Sequence, residues 1–397
     1  HAHCVIVACV LVLTGCGSRP STHPQDSGPQ ADATGSSDGP SKDLVADATV
    51  DVAPLPPCTP APPLHLTALA DAMSYPLGIT VDRNGIPHLA YYDLKVDPYT
   101  GYAIRYASVA NEKWSIQHTY GTNITAFRFY GIAVAKDGEV HSVYCKENAV
   151  SRLHELMWAR GKGTNWSTTE VASVVEDGAF ALDDNGHPHI IYRSGFNNNI
   201  IHMSNITGVW KKTNLVLGLI WSLRLSLAID PKDMLHVAYW SKKQQGVTYL
   251  AGKDSTSWTK QLELGTGDLT KSFHPIVAVD AKGGGHLLSS STNKQLEYRT
   301  LVPGKGWHPE VLPVAGNHQP VCAAILMDSQ DRPHVVHDGA AGIVHLVRAG
   351  GSWTAAHTVP GFKWGQPGQT ICPLAAMGPD DSLHLTWTDA GGIVYTR

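Results

Sequence analysis

From residue 64 onward, short apolar runs alternate with turn-forming residues at a regular spacing. Each run leads into a turn rich in Gly, Asn and Asp, and the turn is followed by a His, more apolar residues and an aromatic residue or a polar one in its place. The first two examples span Gly78–Tyr91 and Gly131–Tyr144. Short runs rich in Val, Ile, Tyr and Trp predict β-strands rather than helices.

The unit of run, turn and His recurs along the rest of the chain. Successive repeat His residues stand 53, 48, 47, 50, 48 and 50 residues apart, at His88, His141, His189, His236, His286, His334 and His384. All copies but the last continue with a second ring residue and a Trp eight or nine residues beyond it. A unit of this length holds four strands, the content of a propeller blade. The sequence therefore predicts an all-β fold, a seven-bladed β-propeller of four-stranded blades over residues 64–397.

The seventh copy has no fourth strand of its own, because the printed chain reaches Tyr395–Arg397 before another Trp appears. The segment Leu64–Leu69 precedes the first copy and belongs to no other blade. We expect this N-terminal strand to complete the seventh blade and close the ring. Closure of this kind removes the free strand edges that invite aggregation.

The repeated His and Asp residues are predicted to serve the fold. A catalytic or metal site needs one constellation rather than a copy in every blade, so we expect each repeat His to hydrogen-bond to its own turn. The Asp residues six positions earlier are assigned the same role: Asp82, Asp183, Asp230, Asp280 and Asp328. These turns carry too few carboxylates for a calcium loop. We therefore predict no metal and no other cofactor.

The amino-acid composition limits the classes of molecule that we expect the protein to bind. The chain has 397 residues, of which 43% are apolar and 16% charged, so it can bury a large core. Thirty Lys and Arg residues against thirty-four Asp and Glu residues give a formal net charge of −4. A basic excess able to neutralise phosphates is missing, so nucleic acid is not an expected partner.

The N-terminal segment predicts the location of the protein in the cell. Residues 4–13 form an apolar run of ten, whereas a membrane-spanning helix needs about twenty, so the run is typical of a signal peptide. The segment that follows, Leu13-Thr-Gly-Cys16, resembles the lipobox of bacterial lipoproteins. That resemblance implies a lipoprotein signal over residues 1–16, lipidation at Cys16 and a place in the cell envelope, at the outer membrane or cell surface of a bacterium. The lipid anchor is then the chain's contact with the membrane. A buried apolar strand and a plain secretory signal are the alternatives.

Residues 17–63 are rich in Pro, Ser and Asp and contain no aromatic residue. Such a composition cannot bury enough apolar surface to offset the entropy of ordering, which predicts a disordered tether. As a flexible coil of about 45 residues it would span roughly 35–40 Å. That length suffices to hold a domain clear of a membrane surface.

Candidate binding residues lie where the blades differ from one another. In a four-stranded blade, the residues before the first strand and after the second strand share one face around the axis. These positions carry Tyr75, Arg128, Tyr130, Arg193, Trp221, Trp240, His274 and Trp364. Aromatic rings stack on the apolar face of a sugar, and charged groups bind its hydroxyls or acids. The pattern favours carbohydrate binding, with Trp221, Trp240 and Arg193 closest together in the repeat.

A catalytic use of the same face stays open. A polysaccharide lyase for a uronate-containing glycan needs a cation to neutralise the acid and a Tyr or His to move protons. Arg128 or Arg193, with His274, Tyr130 or Tyr75, could supply these groups. Nucleophile-elbow, P-loop, dinucleotide-binding and zinc-protease motifs are missing from the sequence. If the protein is an enzyme, a lyase is favoured over a hydrolase.

The repeat motif D-x-x-G-x-P-H, followed by apolar residues, an aromatic and a later G-x-W, resembles that of seven-bladed propeller lipoproteins of bacteria. It is more distantly similar to propeller lectins and to propeller-type ulvan lyases. The resemblance covers residues 64–397 as architecture and carries no catalytic residue over. It implies a surface-tethered lipoprotein whose propeller face binds a carbohydrate or acts as a binding scaffold.

Four cysteines besides Cys16 follow the signal segment, and export would allow them to oxidise. They are Cys58, Cys145, Cys322 and Cys372, which permit three pairings. Cys322 and Cys372 each stand twelve residues before their repeat His, at the entrance of adjacent innermost strands. Because neighbouring inner strands converge on the axis, we predict a Cys322–Cys372 disulfide.

Overall fold

The structure is a computed structural model of the chain. It describes residues 64–66, 74–93, 102–110, 113–124, 127–148, 150–151, 153–217, 222–241, 245–253, 258–265, 275–290, 295–302, 305–313, 320–354, 357–362, 372–389 and 392–397. The signal segment and the tether, including Cys16, lie outside these residues. In the described part of the chain all regular elements are strands, and no helix there is long and apolar enough to cross a membrane.

The strands form seven antiparallel sheets, which are the blades of a β-propeller. The first strand, β1 (Leu64–His65), belongs to blade 7. Blade 1 contains β2 (Tyr75–Val81), β3 (Pro87–Asp93), β4 (Tyr102–Ala110) and β5 (Lys113–Ile124). Blade 2 contains β6 (Phe127–Val134), β7 (Val140–Glu147), β8 (His154–Lys162) and β9 (Asn165–Ser173). Blade 3 contains β10 (Val175–Leu182), β11 (Pro188–Ser194), β12 (Ile200–Ser204) and β13 (Lys211–Val216).

The remaining blades follow the same order. Blade 4 contains β14 (Ser222–Ile229), β15 (Leu235–Ser241), β16 (Gly246–Gly252) and β17 (Thr259–Gly265). Blade 5 contains β18 (Ile276–Val279), β19 (Gly285–Ser290), β20 (Leu296–Val302) and β21 (Gly306–Val311). Blade 6 contains β22 (Ala323–Met327), β23 (Pro333–Gly339), β24 (Gly342–Ala349) and a divided outer strand, β25 (Ser352–Trp353) and β26 (His357–Val359). Blade 7 contains β27 (Leu374–Met377), β28 (Leu383–Asp389) and β29 (Gly392–Thr396).

The ring closes through the N-terminal strand, and the prediction of a closed seven-bladed propeller is confirmed. Leu64 and His65 of β1 pair antiparallel with Tyr395 and Val394 of β29. The Leu66 amide extends this pairing by donating to the Ile393 carbonyl at 2.8 Å. The first strand of each blade contacts that of the next, and β27 contacts β2, so the inner ring is continuous. Closure leaves no blade without its fourth strand.

The second strands explain why each repeat carries apolar residues after its His. β3, β11, β15 and β23 are buried at every position, because they are covered on both faces by neighbouring blades. Outer strands are held to their neighbours by the repeat Trp, which packs on the ring residue of the preceding blade's third strand. The six such pairs have centroid distances of 4.7 to 6.1 Å and include Trp114 on Tyr395, which joins blade 1 to blade 7.

The repeat His residues are buried and hydrogen-bonded, in keeping with the structural role expected of them. In five blades the His Nε2 lies 3.1 to 3.7 Å from the carboxylate of the turn Asp six residues earlier. Its Nδ1 bonds a ring residue on the third strand, as His88 does with the Tyr106 hydroxyl at 2.6 Å. Blades 2 and 7 substitute Glu139 and Ser382 for the turn Asp, at 3.0 and 2.9 Å from the His Nε2.

This network changes the acidity of its members. Burial alone raises the pKa of Asp328, but the hydrogen bonds from His334 and from Arg332 outweigh it and lower the pKa to about 2. Burial lowers the pKa of His141 and His384 to about 4, and that of His202 and His345 to about 3. The histidines with lowered pKa are therefore neutral at physiological pH.

Candidate functional site

The face that carries the sequence-selected residues is called here the upper face. It contains the residues at the start of each first strand, such as Tyr75, and at the end of each second strand, such as Asp93. The opposite, lower face contains the turns between the first two strands, such as Asp82–Gly85. Loops at one end of a rigid scaffold are where binding residues are commonly placed.

Blades 1 to 4 each have a β-bulge in the first strand near the upper face. The extra residue is Leu77 in blade 1, Tyr130 in blade 2 and Glu176 in blade 3, and in blade 4 it lies between Leu223 and Ser226. A bulge re-aims side chains and is over-represented next to functional sites. All four bulges lie beside residues selected from the sequence, so this half of the upper face holds the candidate site.

Blade 1 presents a stacked pair of tyrosines and an ion pair. The half-buried ring of Tyr75 stacks on Tyr92 with centroids 4.8 Å apart. Next to Tyr92, the buried Asp93 carboxylate lies 2.8 Å from Arg105 Nε. Because Tyr92 and Asp93 are consecutive residues of β3, the ring pair and the ion pair lie on opposite faces of blade 1 at its upper end.

Blade 2 divides its selected residues between surface and core. Tyr130 is buried at 2% exposure, and its hydroxyl donates to Cys145 Sγ at 3.4 Å. Burial raises the pKa of Tyr130 well above its usual value, so the phenol stays protonated at neutral pH. Burial also raises the pKa of the free Cys145 thiol. Arg128 is half-buried and, among the described residues, makes no ion pair.

Blade 3 uses its selected arginine internally. The Arg193 side chain is 5% exposed, and its Nη2 pairs with the Glu176 carboxylate, whose side chain is 42% exposed. Arg193 Nη1 donates to Asn198 Oδ1 at 2.7 Å. Because both ends of the guanidinium are occupied, Arg193 braces the loop after β11 and does not stand free for a ligand.

That loop, Ser194–Asn199, carries an aromatic residue outside the set selected from the sequence. Phe196 at its tip is 75% exposed. The signal for it is present in the sequence Gly-Phe-Asn-Asn-Asn, an aromatic surrounded by turn-forming residues. Sequence reasoning missed Phe196 because it examined only the positions next to the strand ends.

The other selected residues are not brought into one described cluster. Trp240 is 5% exposed and packs in the core shared by blades 4, 5 and 6, and its Nε1 has no hydrogen-bond partner among the described residues. Trp221, His274 and Trp364 lie outside the described residues. Within the described ranges, no His, Cys, Asp and Glu residues are grouped so as to hold a metal ion.

Blades 6 and 7 are covalently linked at the upper face. A disulfide joins Cys322 and Cys372, whose Cα atoms are 5.3 Å apart, and this is the pair predicted from the repeat spacing. The buried Asp338 carboxylate accepts hydrogen bonds from the backbone amides of Val321 and Cys322 at 2.9 and 2.8 Å. These contacts fix the entrance to the first strand of blade 6.

Comparisons with known proteins return solved propellers. No family model matches the chain, and no curated protein does. The SapL1 lectin, solved with alpha methyl fucoside, is 14% identical with a TM-score of 0.47 over 71% of this chain and 95% of its own. AofleA from Arthrobotrys oligospora is 15% identical with a TM-score of 0.49 over 68% and 81%. The alpha-L-arabinanase of Penicillium chrysogenum, solved with arabinobiose, is 11% identical with a TM-score of 0.49 over 85% and 98%.

Proposed function

We propose that the upper face of the propeller binds carbohydrate. The observation that carries the proposal is the set of groups at the upper end of blades 1 and 2: the half-buried Tyr75 ring, the Asp93–Arg105 ion pair on the other face of blade 1, and Arg128, which makes no ion pair among the described residues. Ring faces stack on the C–H face of a pyranose, and charged groups bind its hydroxyls. A closed propeller scaffold holds the backbone of these groups in place, which reduces the cost of ordering on binding.

A glycan array tests this proposal. The full chain should give saturable signals on printed neutral or uronate-containing oligosaccharides. Tyr75→Ala should weaken the strongest of them about tenfold, equivalent to about 1.4 kcal/mol, whereas Tyr75→Phe should retain them because it keeps the ring. A folded wild-type chain that binds no oligosaccharide on the array would contradict the proposal.

The lyase alternative is less well supported. Of the groups proposed for it, Tyr130 is buried and protonated. Arg193 is ion-paired with Glu176 and hydrogen-bonded to Asn198. A lyase would generate a conjugated double bond in a uronate-containing glycan, which absorbs in the ultraviolet. Incubating the chain with such glycans and following the absorbance separates the two functions.

We also propose that the propeller is exported and held at a bacterial cell surface by a lipid on Cys16, with residues 17–63 as the tether. The Cys322–Cys372 disulfide supports export, because structural disulfides persist in oxidising compartments. Growth with radiolabelled palmitate should mark the wild-type chain and leave Cys16→Ala unmarked. Equal labelling of both would remove the lipid anchor.

A further inference from the structure

The loop Ser194–Asn199 is held rigidly although its tip is exposed. The Asn198 amide donates to the Ser194 carbonyl at 2.9 Å, and the Ser194 amide donates to the Asn199 carbonyl at 3.0 Å. The Gly195 amide reaches out of the loop to the Val174 carbonyl at 2.8 Å, in the connection between blades 2 and 3. A loop tied at both ends cannot fold its Phe196 ring back into the core, so the ring stays in solvent.

The backbone around this loop is in an unfavourable conformation at two places. Val174 has φ of 58° and Asn198 has φ of 55°. Asn tolerates the left-handed region, but a β-branched residue there is a genuine outlier. Such residues persist only where the surroundings over-determine them, and they cluster at ligand clamps and active sites. Both outliers lie where the loop meets the connection between blades 2 and 3.

The charged groups below the loop are already paired. Arg193 joins Glu176 at the bulge of β10 to Asn198 in the loop, so the guanidinium positions the loop and is neutralised. What the loop offers to solvent is the ring of Phe196 and the exposed Asn197. An aromatic face beside an amide, with balanced charge, suits the C–H face and hydroxyls of a neutral sugar better than a uronate.

From these contacts we infer that the loop Ser194–Asn199 is a preformed platform on which a neutral sugar stacks against Phe196, with Arg193 as its positioning residue. This inference rests on the proposed carbohydrate binding and names the place and class of ligand within it. Leu217, which is 71% exposed and follows β13, lies at the same upper face of blade 3.

The test uses the full chain on a printed array of neutral and uronate-containing oligosaccharides. Phe196→Ala should reduce the signal on neutral glycans tenfold or more, and Phe196→Trp should keep it within threefold. Val209 is a matched control, because it is 66% exposed on the lower face of the same blade. Val209→Ala should leave every signal unchanged, and all three variants should melt as the wild type does.

The positioning role of Arg193 has its own readout. Arg193→Met should weaken binding and also speed amide hydrogen exchange in the peptide containing residues 194–199, while the peptides of β10 keep their protection. Asn198→Gly is the second variant, since it keeps the left-handed backbone accessible and removes only the side-chain acceptor. Weakened binding without faster exchange in either variant would overturn the positioning role.

The outcomes separate the inference from the proposed function. Wild-type binding that Phe196→Ala leaves intact overturns the platform while carbohydrate binding stands. Binding confined to uronate-containing glycans and lost in Arg128→Ala moves the site to blade 2 and also overturns the platform. A wild-type chain that binds none of the printed glycans overturns the proposed function, and the platform with it.

Discussion

The two sides of the ring build the upper face differently. In blades 1 to 4 the first strands have 7, 8, 8 and 8 residues and continue through a bulge to the face. In blades 5 to 7 they have 4, 5 and 4 residues, and their described residues pair without a bulge. The long strands reach the upper face through these bulges, whereas other contacts hold the starts of the short first strands of blades 6 and 7.

Those other contacts are a disulfide bond and hydrogen bonds to two backbone amides. The Cys322–Cys372 disulfide and the two amides bound by Asp338 fix the entrances of blades 6 and 7. On the lower face, Asp331 accepts from the Ala281 amide and Asp381 from the Ser329 amide, both at 2.7 Å, so the turns of blades 6 and 7 are each hydrogen-bonded to the preceding blade. Blades 1 to 4 thus present side chains at the upper face, whereas blades 6 and 7 are held by a disulfide and by hydrogen bonds between blades.

The largest expected effect concerns a network that both halves share. Because His141, His202, His345 and His384 have lowered pKa values of about 3 to 4, the unfolded chain binds more protons than the folded one below about pH 6.5. Their stabilising contribution is therefore fully present above about pH 6.5 and is lost as the pH falls through about 4. Each histidine contributes a slope of up to about 1.4 kcal/mol per pH unit. Denaturant melts at a series of pH values measure it.

A matched pair of variants checks that slope. The third-strand partner of the repeat His is His202 in blade 3 and His345 in blade 6, but a Tyr in blades 1, 4, 5 and 7. His202→Tyr and His345→Tyr introduce the residue of the other blades and remove one titrating group each. Both should flatten the acid slope by a similar amount. A change in only one of them would show that the two halves do not share the network equally.

Removal of the disulfide between blades 6 and 7 should destabilise this part of the ring. The bond closes a loop between residues 50 apart, for which loop-closure entropy predicts about 4 kcal/mol. Cys322→Ser with Cys372→Ser should lower the melting temperature, and a reductant should do the same to the wild type but not to the double variant. If the reductant leaves the wild-type melting temperature unchanged, the disulfide does not hold the entrances.

A smaller effect is expected where blades 1 and 2 meet. A Cβ built at Gly78 would lie 2.7 Å from Phe129 Cε1 and 3.0 Å from Ile132 Cγ2, so Gly78→Ala overpacks this contact. The expected cost is about 1–3 kcal/mol. Blade 6 already has Ala324 at the equivalent position, ten residues before its His. Ala324→Gly should cost less, about 0.5–1 kcal/mol, and a larger cost at Ala324 than at Gly78 would reverse the comparison.

The smallest effect tests the lower-face ties. Asp331 occupies the turn position that is Gly85 in blade 1, and its φ is 61°. Asp331→Gly relieves the left-handed strain but removes the bond to the Ala281 amide, so the free energy of unfolding should change by less than about 1 kcal/mol. Thermal melts measure it. A loss of several kcal/mol would make the lower-face tie, and not the disulfide, the main fastening of blade 6.

The sequence by itself determined the number of blades, the closing strand and the structural character of the repeat His residues. These features are periodic, so one unit read along the chain predicts the others. The spacing of Cys322 and Cys372 indicated their pairing for the same reason, because equal positions in adjacent units face each other in a closed ring.

Only the tertiary structure decided which residues of the upper face are free. Arg193 and Trp240 occupy rim positions in the repeat, yet one is paired with Glu176 and the other packs between blades. The bulges, the strained Val174 and the exposure of Phe196 all depend on contacts between residues that no repeat spacing relates. Burial and pairing are properties of the packed ring, whereas periodicity is a property of the chain.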